Sequence, residues 1–192
     1  MSTGTPHVSA SGFDLSAPSA AERQLLEASL TQEEREVLLL HGTEAPFCGG
    51  LLNQKSAGVY GCRLCGLPLF RSLAKFESGT GWPSFFEPFD PAHVKLVEDL
   101  SYGMRRVETR CARCDSHQGH VFPDGPPPTR LRYCINSVSL TFTADGEPLT
   151  SSGDLLRVRR RFEIGDRLDL TIWRAGELLV VTLELLVAVP DA

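Results

Sequence analysis

The chain has 192 residues with 19 Lys+Arg against 24 Asp+Glu, a net charge of −5, which suits one compact domain with an appendage and is too short for two full-sized domains. This charge balance excludes a general phosphate-backbone binder and a basic membrane-surface protein, and a hydrophobic content of 42% excludes wholesale disorder. No basic-then-apolar leader opens the chain and no apolar run nears the length of a membrane span, so the expected location is the cytoplasm, where six cysteines are metal ligands or catalysts rather than structural disulfides.

Ser, Thr, Gly, Pro and Ala dominate residues 1–20, a composition that predicts a flexible tail with His7 exposed. Across 21–40 the apolar positions Leu25, Leu26, Leu30, Val37, Leu38 and Leu40 recur at roughly helical spacing, and Thr31 has Glu34 three residues on, the pattern of a capping box. Two short helices joined near Leu30 are predicted. After Gly42, clusters of Gly, Pro, Phe and Tyr separate the short runs Val59–Tyr60, Pro68–Phe70, Arg105–Glu108 and Ser137–Phe142, which read as short antiparallel strands with long functional loops. Thr143–Pro148 is a turn-rich linker, and no Cys or His follows it. Beyond it a basic amphipathic helix is expected over Asp154–Phe162, then two strands, Leu168–Trp173 and Glu177–Val189, about a turn at Arg174–Glu177. The organisation expected is a tail (1–20), a catalytic domain (21–143) and a smaller C-terminal unit (144–192).

Cys62-Arg-Leu-Cys65 and Cys111-Ala-Arg-Cys114 are two C-x-x-C pairs. Each fits a knuckle turn whose backbone amides approach both thiolates, with Gly66 and Asp115 following as turn residues, and together they offer four sulfurs tetrahedrally to Zn²⁺. A four-thiolate site has no open position, so this zinc is a clip and not a catalyst. Four buried free cysteines or a redox pair are the bland alternatives. A zinc deaminase needs H-x-E, and none of the five histidines has that neighbour. A zinc module binding nucleic acid is the non-enzyme alternative, but it wants a basic, aromatic-studded face.

With four cysteines assigned, Cys134 stands in Arg132-Tyr-Cys-Ile-Asn-Ser137, leading into the best strand candidate. At the strand period of two, Arg132, Cys134 and Asn136 share a face, and a guanidinium beside a thiol favours the nucleophilic thiolate. The hexapeptide alone equally describes a buried Cys with a surface Arg. His117 and His120 follow the second knuckle so closely that the clip would fix both imidazoles, although satisfied structural histidines have the same spacing. Asp124 lies in the proline-rich run Val121–Pro128, and Gly79-Thr-Gly-Trp-Pro-Ser-Phe85 is an aromatic loop in which Trp82 is either packing or a pocket wall.

Taken in order, Gly79–Phe85, Cys111–Cys114 with His117-x-Gly-His120-Val-Phe, Asp124–Pro128 and Arg132–Ser137 resemble the methionine sulfoxide reductase B family, and Leu38–Phe47 resembles its lead-in. The similarity runs from about Leu25 to Phe142. It implies a mainly β (α+β) fold of two antiparallel sheets with short N-terminal helices, and reduction of the R epimer of methionine sulfoxide, free or in proteins. It further implies Cys134 as nucleophile, left as sulfenic acid; His117 and His120 supplying the proton and hydrogen bonds to the oxygen; Asp124, Arg132 and Asn136 ordering the site; Trp82 and Phe122 receiving substrate; and structural zinc on Cys62, Cys65, Cys111 and Cys114. Many members carry a resolving cysteine where this chain has Thr80. The only thiol left for that role is Cys48, in Pro46-Phe-Cys-Gly-Gly50, whose paired glycines would let the loop swing; otherwise external thiols resolve the sulfenic acid. Thioredoxin is the electron donor expected for a Cys48–Cys134 disulfide. Segments of 144–192, among them Ser152–Arg157 and Ile164–Gly176, resemble the second half of a PDZ domain without its carboxylate-binding half, so no peptide-tail capture is expected of them.

Overall fold

The computed structural model describes residues 7–144, 167–174 and 177–184. Two capping boxes start its two helices. In α1 (Ala20–Ala28) Ser19 Oγ accepts from the Glu22 amide and the Glu22 carboxylate returns to the Ser19 amide; in α2 (Gln32–Leu38) Thr31 and Glu34 do the same. Both helices start where two orphan amides are satisfied reciprocally. Glu34 also accepts from Arg63 Nε at 2.5 Å, and Val37 and Leu38 are buried, so α2 is fastened at one end by charge and at the other by apolar packing.

The strands are β1 (Gly58–Cys62), β2 (Pro68–Arg71), β3 (Lys75–Phe76), β4 (Ser84–Phe85), β5 (Val94–Asp99), β6 (Arg106–Cys111), β7 (His117–Phe122), β8 (Arg132–Ile135), β9 (Leu140–Ala144), β10 (Arg167–Arg174) and β11 (Glu177–Glu184). Two antiparallel sheets carry the first unit, one ordered β2-β1-β9 and one ordered β3-β4-β8-β7-β6-β5. Aromatic side chains join them: Tyr60 of β1 meets Phe85 of β4 edge-on at 4.9 Å between ring centroids, and Phe70 of β2 stacks on Phe85 at 4.4 Å. These offset and T-shaped contacts supply the largest buried apolar areas of the core.

The run Ser137–Phe142 is not one strand. A 3-10 turn at Ser137–Ser139 carries the chain out of the six-stranded sheet, and β9 begins only at Leu140 in the other sheet. The buried Glu44 carboxylate imposes the break by accepting the amides of Ser137 at 2.5 Å and Val138 at 3.1 Å, a side-chain cap from 93 residues away that removes these amides from any ladder.

The second half of the expected tail is ordered instead. Phe13 and Leu15 are buried, Phe13 packs edge-on against Phe89 and His93, and the Asp90 carboxylate accepts both the amide and the hydroxyl of Ser11. Buried His93 contacts the Pro68 carbonyl with Nδ1 at 2.6 Å and Ser9 Oγ with Nε2 at 2.9 Å. Two apolar side chains and satisfied polar groups are enough to dock a segment whose average composition reads as tail; His7 is exposed, as expected.

The chain divides into two compact units, Met1–Pro148 and Leu149–Ala192. In the second, β10 and β11 pair antiparallel from Arg167↔Glu184 to Arg174↔Glu177, where two strands were expected. The helix expected over Asp154–Phe162, the end of the strand beyond Glu184 and much of the PDZ-like similarity lie outside the described residues. No helix among the described residues is long and apolar enough to cross a membrane.

Candidate active site and metal centre

The two C-x-x-C segments fold as matching knuckles. The amide of Gly66 donates to the Cys62 carbonyl at 2.8 Å and that of Asp115 to the Cys111 carbonyl at 2.9 Å, and both Gly66 and Asp115 adopt left-handed backbone, at φ 76° and 59°. The Sγ atoms of Cys62, Cys65, Cys111 and Cys114 lie within 4.8 Å of one another and are buried, with Cys62–Cys114 at 3.6 Å and Cys65–Cys111 at 3.5 Å. Zinc with Zn–S bonds of about 2.3 Å sets tetrahedral sulfurs roughly 3.8 Å apart, so the donor set fits the ion. Burial holds the Cys111 thiol well above its ordinary range, and a divalent cation is what allows four thiolates to coexist there. Ser116 Oγ lies 3.1 Å from Cys114 Sγ and 3.4 Å from Cys62 Sγ, and Gln118 Nε2 donates to Ser116 Oγ at 2.9 Å. These outer contacts bracket His117, so β7 starts from the metal clip.

Cys134 occupies the middle of the six-stranded sheet. Across β8 it faces Ser84 of β4 on one side and His120 of β7 on the other, and directly opposed residues share a face. Its Sγ lies 3.7 Å from Thr80 Oγ1, and Thr80, Ser78 and Ser84 continue as a chain of hydroxyl contacts at 2.8 and 2.7 Å. Position 80 is therefore within reach of the sulfur, and here it holds a hydroxyl. Arg132 is bound by Asp124 through two parallel bonds of 2.9 Å and lies 4.5 Å over the Phe122 ring, its cross-strand neighbour. The sequence suggests that this guanidinium lowers the thiol pKa, but burial dominates. It pushes the half-buried Cys134 thiol up; Thr80, Arg132 and Ser84 pull it down without cancelling the rise. At neutral pH the resting group is the thiol.

Both predicted histidines reach the site with a carboxylate attached. His120 Nε2 lies 2.8 Å from Asp99 Oδ2, and His117 Nδ1 lies 2.6 Å from Glu108 Oε1. Burial lowers the His117 pKa. Burial alone would raise Glu108, but hydrogen bonds from Arg110, His117 and His41 carry it down to about 2.

Asn136 does not continue the face of β8. It lies one residue past the strand, where its Nδ2 donates to the Gln118 carbonyl and its Oδ1 accepts from the Glu44 amide, both at 3.1 Å. Glu44 in turn accepts from Trp82 Nε1 through its carbonyl at 3.1 Å, so one buried residue fixes the indole, Asn136 and the turn after Cys134 together. Cys48 is exposed and sits on a tethered loop: the Phe47 amide donates to the Gly81 carbonyl at 2.8 Å, next to Thr80. The two glycines of the expected hinge differ in their surroundings. A Cβ on Gly49 would come within 2.0 Å of Ser137 Oγ, whereas one on Gly50 meets nothing; Gly49 is there for close approach, and Gly50 has open space on its Cβ side.

Gly119, between the two histidines, also has a packing role. A Cβ there would lie 2.0 Å from the Cys134 carbonyl oxygen. Gly119→Ala is expected to cost about 3 kcal/mol by overpacking and, through displacement of the histidines, to reduce turnover by roughly 10²-fold; thermal melting and steady-state kinetics with dithiothreitol check it. An unchanged variant would mean that β7 and β8 are free to separate.

The residues that sequence reasoning misses here are His41, Glu44, Asp99, Glu108 and Gly119. Glu44 and His41 carried a signal as part of the Leu38–Phe47 similarity, and Gly119 as the glycine of the His117-x-Gly-His120 motif. Asp99 and Glu108 lie on strands whose pairing brings them under the histidines.

A family model described as SelR domain matches residues 30–144. The peptide methionine sulfoxide reductase MsrB of Caulobacter vibrioides is 71% identical over 147 residues, covering 77% of this chain and 92% of that protein. The chain belongs to the methionine sulfoxide reductase B family. MsrB proteins of Xylella fastidiosa (63% identical over 134 residues; 70% of this chain and 86% of that protein) and Escherichia coli (54% over 130; 68% and 92%) are also similar. In this MsrB-family chain the four buried cysteines form the structural zinc site.

Proposed function

We propose that the chain is a peptide-methionine (R)-S-oxide reductase with Cys134 as its nucleophile. The observation that carries this reading is the position of Cys134, on a central strand between hydroxyls on one side and His120 on the other, with the Trp82 indole held on the neighbouring loop. Cys134 sulfur attacks the sulfoxide sulfur while a proton reaches the departing oxygen, because an unprotonated oxide leaves poorly. The oxygen moves to Cys134 sulfur as the transient sulfur–sulfur bond breaks, so methionine departs as the thioether and Cys134 is left as sulfenic acid. Net, one proton moves from the thiol to oxygen. His117 and His120 handle that proton. Asp124 orients Arg132, Arg132 opposes the rise in the Cys134 pKa, Asn136 orders the chain after it, and Trp82 and Phe122 receive the substrate's S-methyl group against apolar rings. Zinc supplies rigidity and no step of the reaction.

Cys48 resolves the sulfenic acid. Its sulfur attacks Cys134 sulfur, the Cys48 thiol proton joins the displaced hydroxyl so that water leaves, and the disulfide returns to two thiols with two electrons and two protons from a dithiol donor, thioredoxin in a compartment that keeps thiols reduced, such as the cytoplasm. The tether from Phe47 to Gly81 and the open space around Gly50 support this role. The reductase unit is the expected 21–143 extended by the docked segment 7–15 and by Ala144 at the end of β9, and 149–192 is the second unit.

The test uses resolved R and S sulfoxides. Wild type with dithiothreitol is expected to reduce the R epimer only. Cys48→Ser should keep that activity but lose turnover with thioredoxin; equal use of both epimers would overturn the specificity, and full thioredoxin-coupled activity of Cys48→Ser would overturn the resolving role.

A further inference from the structure

Glu108 receives more donors than a structural carboxylate needs. Its Oε1 meets His41 Nδ1 at 2.7 Å and His117 Nδ1 at 2.6 Å, while its Oε2 meets Arg110 Nε at 2.8 Å and Nη2 at 2.7 Å. Glu108 and His117 are buried; His41 is partly open to solvent and adopts left-handed backbone at φ 57°. An ionised carboxylate only accepts, so each Nδ1 facing it carries a hydrogen. A neutral imidazole with Nδ1–H has its lone pair on Nε2, and His117 Nε2 is a buried atom without a hydrogen-bond partner among the described residues. A buried orphan nitrogen of this kind marks a group waiting for a ligand or a proton. The His117 ring lies 5.5 Å from the His120 ring, and His120 is opposite Cys134.

We propose that Glu108, braced by His41, is the positioning carboxylate of the reaction: it holds His117 as the Nδ1–H tautomer and so makes Nε2 the atom that takes and returns the proton. This rests on the reductase reading above. The Cys134 S–H bond breaks as an Nε2–H bond forms, giving an imidazolium whose charge Glu108 balances; the same proton then passes to the sulfoxide oxygen, whose bond to the methionine sulfur breaks as its bond to Cys134 sulfur forms, so methionine leaves reduced and Cys134 is left oxidised as sulfenic acid. No electron or atom is needed beyond thiol and sulfoxide. It is the logic of a carboxylate orienting and stabilising an imidazolium, applied to a thiol. His41 completes the arrangement by filling the second lone pair of Oε1 and fixing the carboxylate's rotation. The metal-ligating cysteines take no part.

The tautomer is read directly on the zinc-loaded wild type by ring ¹⁵N NMR, with His117 assigned through a His117→Gln sample. A protonated Nδ1 and a bare Nε2 are expected; an Nε2–H tautomer overturns the proposal whatever the kinetics. Glu108→Gln keeps the volume and removes the charge. With dithiothreitol it should lower kcat by about 10–100-fold while KM stays within about twofold of wild type, at unchanged zinc content; His41→Gln should show a smaller loss of the same kind. A Glu108→Gln enzyme with wild-type kcat overturns the proposal, and so does a loss confined to zinc content and melting temperature. If the wild type reduces no R-sulfoxide, it is the reductase reading that fails, and the NMR result still decides the tautomer.

Discussion

Cys134→Ser is expected to lower reduction of a methionine-R-sulfoxide by about 10⁴-fold or more, with thioredoxin and with dithiothreitol alike. A hydroxyl cannot take up the sulfoxide oxygen as sulfenic acid, so neither reductant has an intermediate to resolve. The substitution is conservative for the fold: the site is half-buried, the neighbours at Thr80 and Ser84 are themselves hydroxyls, and β8 stays paired through its backbone to β4 and β7. Zinc content and melting temperature should match wild type, which separates loss of chemistry from loss of structure. Coupled turnover assays and thermal melting check this. Persistent activity would mean that another thiol attacks the sulfoxide, and the roles given to His117, His120 and Arg132 would fall with it.

Removing the metal is expected to cost the fold itself. Structural zinc supplies about 10–16 kcal/mol of apparent binding free energy in small zinc modules, against roughly 5–15 kcal/mol for the whole stability of a domain. The first number is as large as the second, so the metal decides. Cys111→Ser, or chelation of the wild type, should abolish both zinc retention and the cooperative melt, and activity should disappear in step. The site's dependence is local as well: Cys111 ends β6, Cys114 lies three residues before His117, and the hydrogen-bonded turn between them fixes where β7 starts. Metal analysis with calorimetry is the check. A Cys111→Ser protein with an intact melt and full turnover would show that the knuckles are clipped by packing alone.

The sequence by itself determined what short-range chemistry determines. The capping box of Thr31 with Glu34, knuckle turns closed by Gly66 and Asp115, and the period-two relation of Arg132 to Cys134 all depend on neighbours within a few residues, and each was legible. So were the four cysteine ligands, whose residue type and spacing carry the chemistry, whereas Cys134 stood out as the expected nucleophile only through the family resemblance of its surrounding motifs. Tertiary structure decided everything that needs a partner far along the chain. Glu44 breaks Ser137–Phe142 into a turn and a strand by accepting amides 93 residues away. Phe13 packs against His93 and Leu15 is buried in the core, a docking that the composition of residues 1–20 does not announce. The pKa of Cys134 follows from burial, which a hexapeptide cannot report, and burial outweighs the adjacent guanidinium because desolvation of a charge is set by all surrounding atoms rather than by one neighbour. The same holds for Asp99 and Glu108: only the pairing of β5, β6 and β7 puts a carboxylate under each histidine, because strand register is a long-range property fixed by the whole sheet.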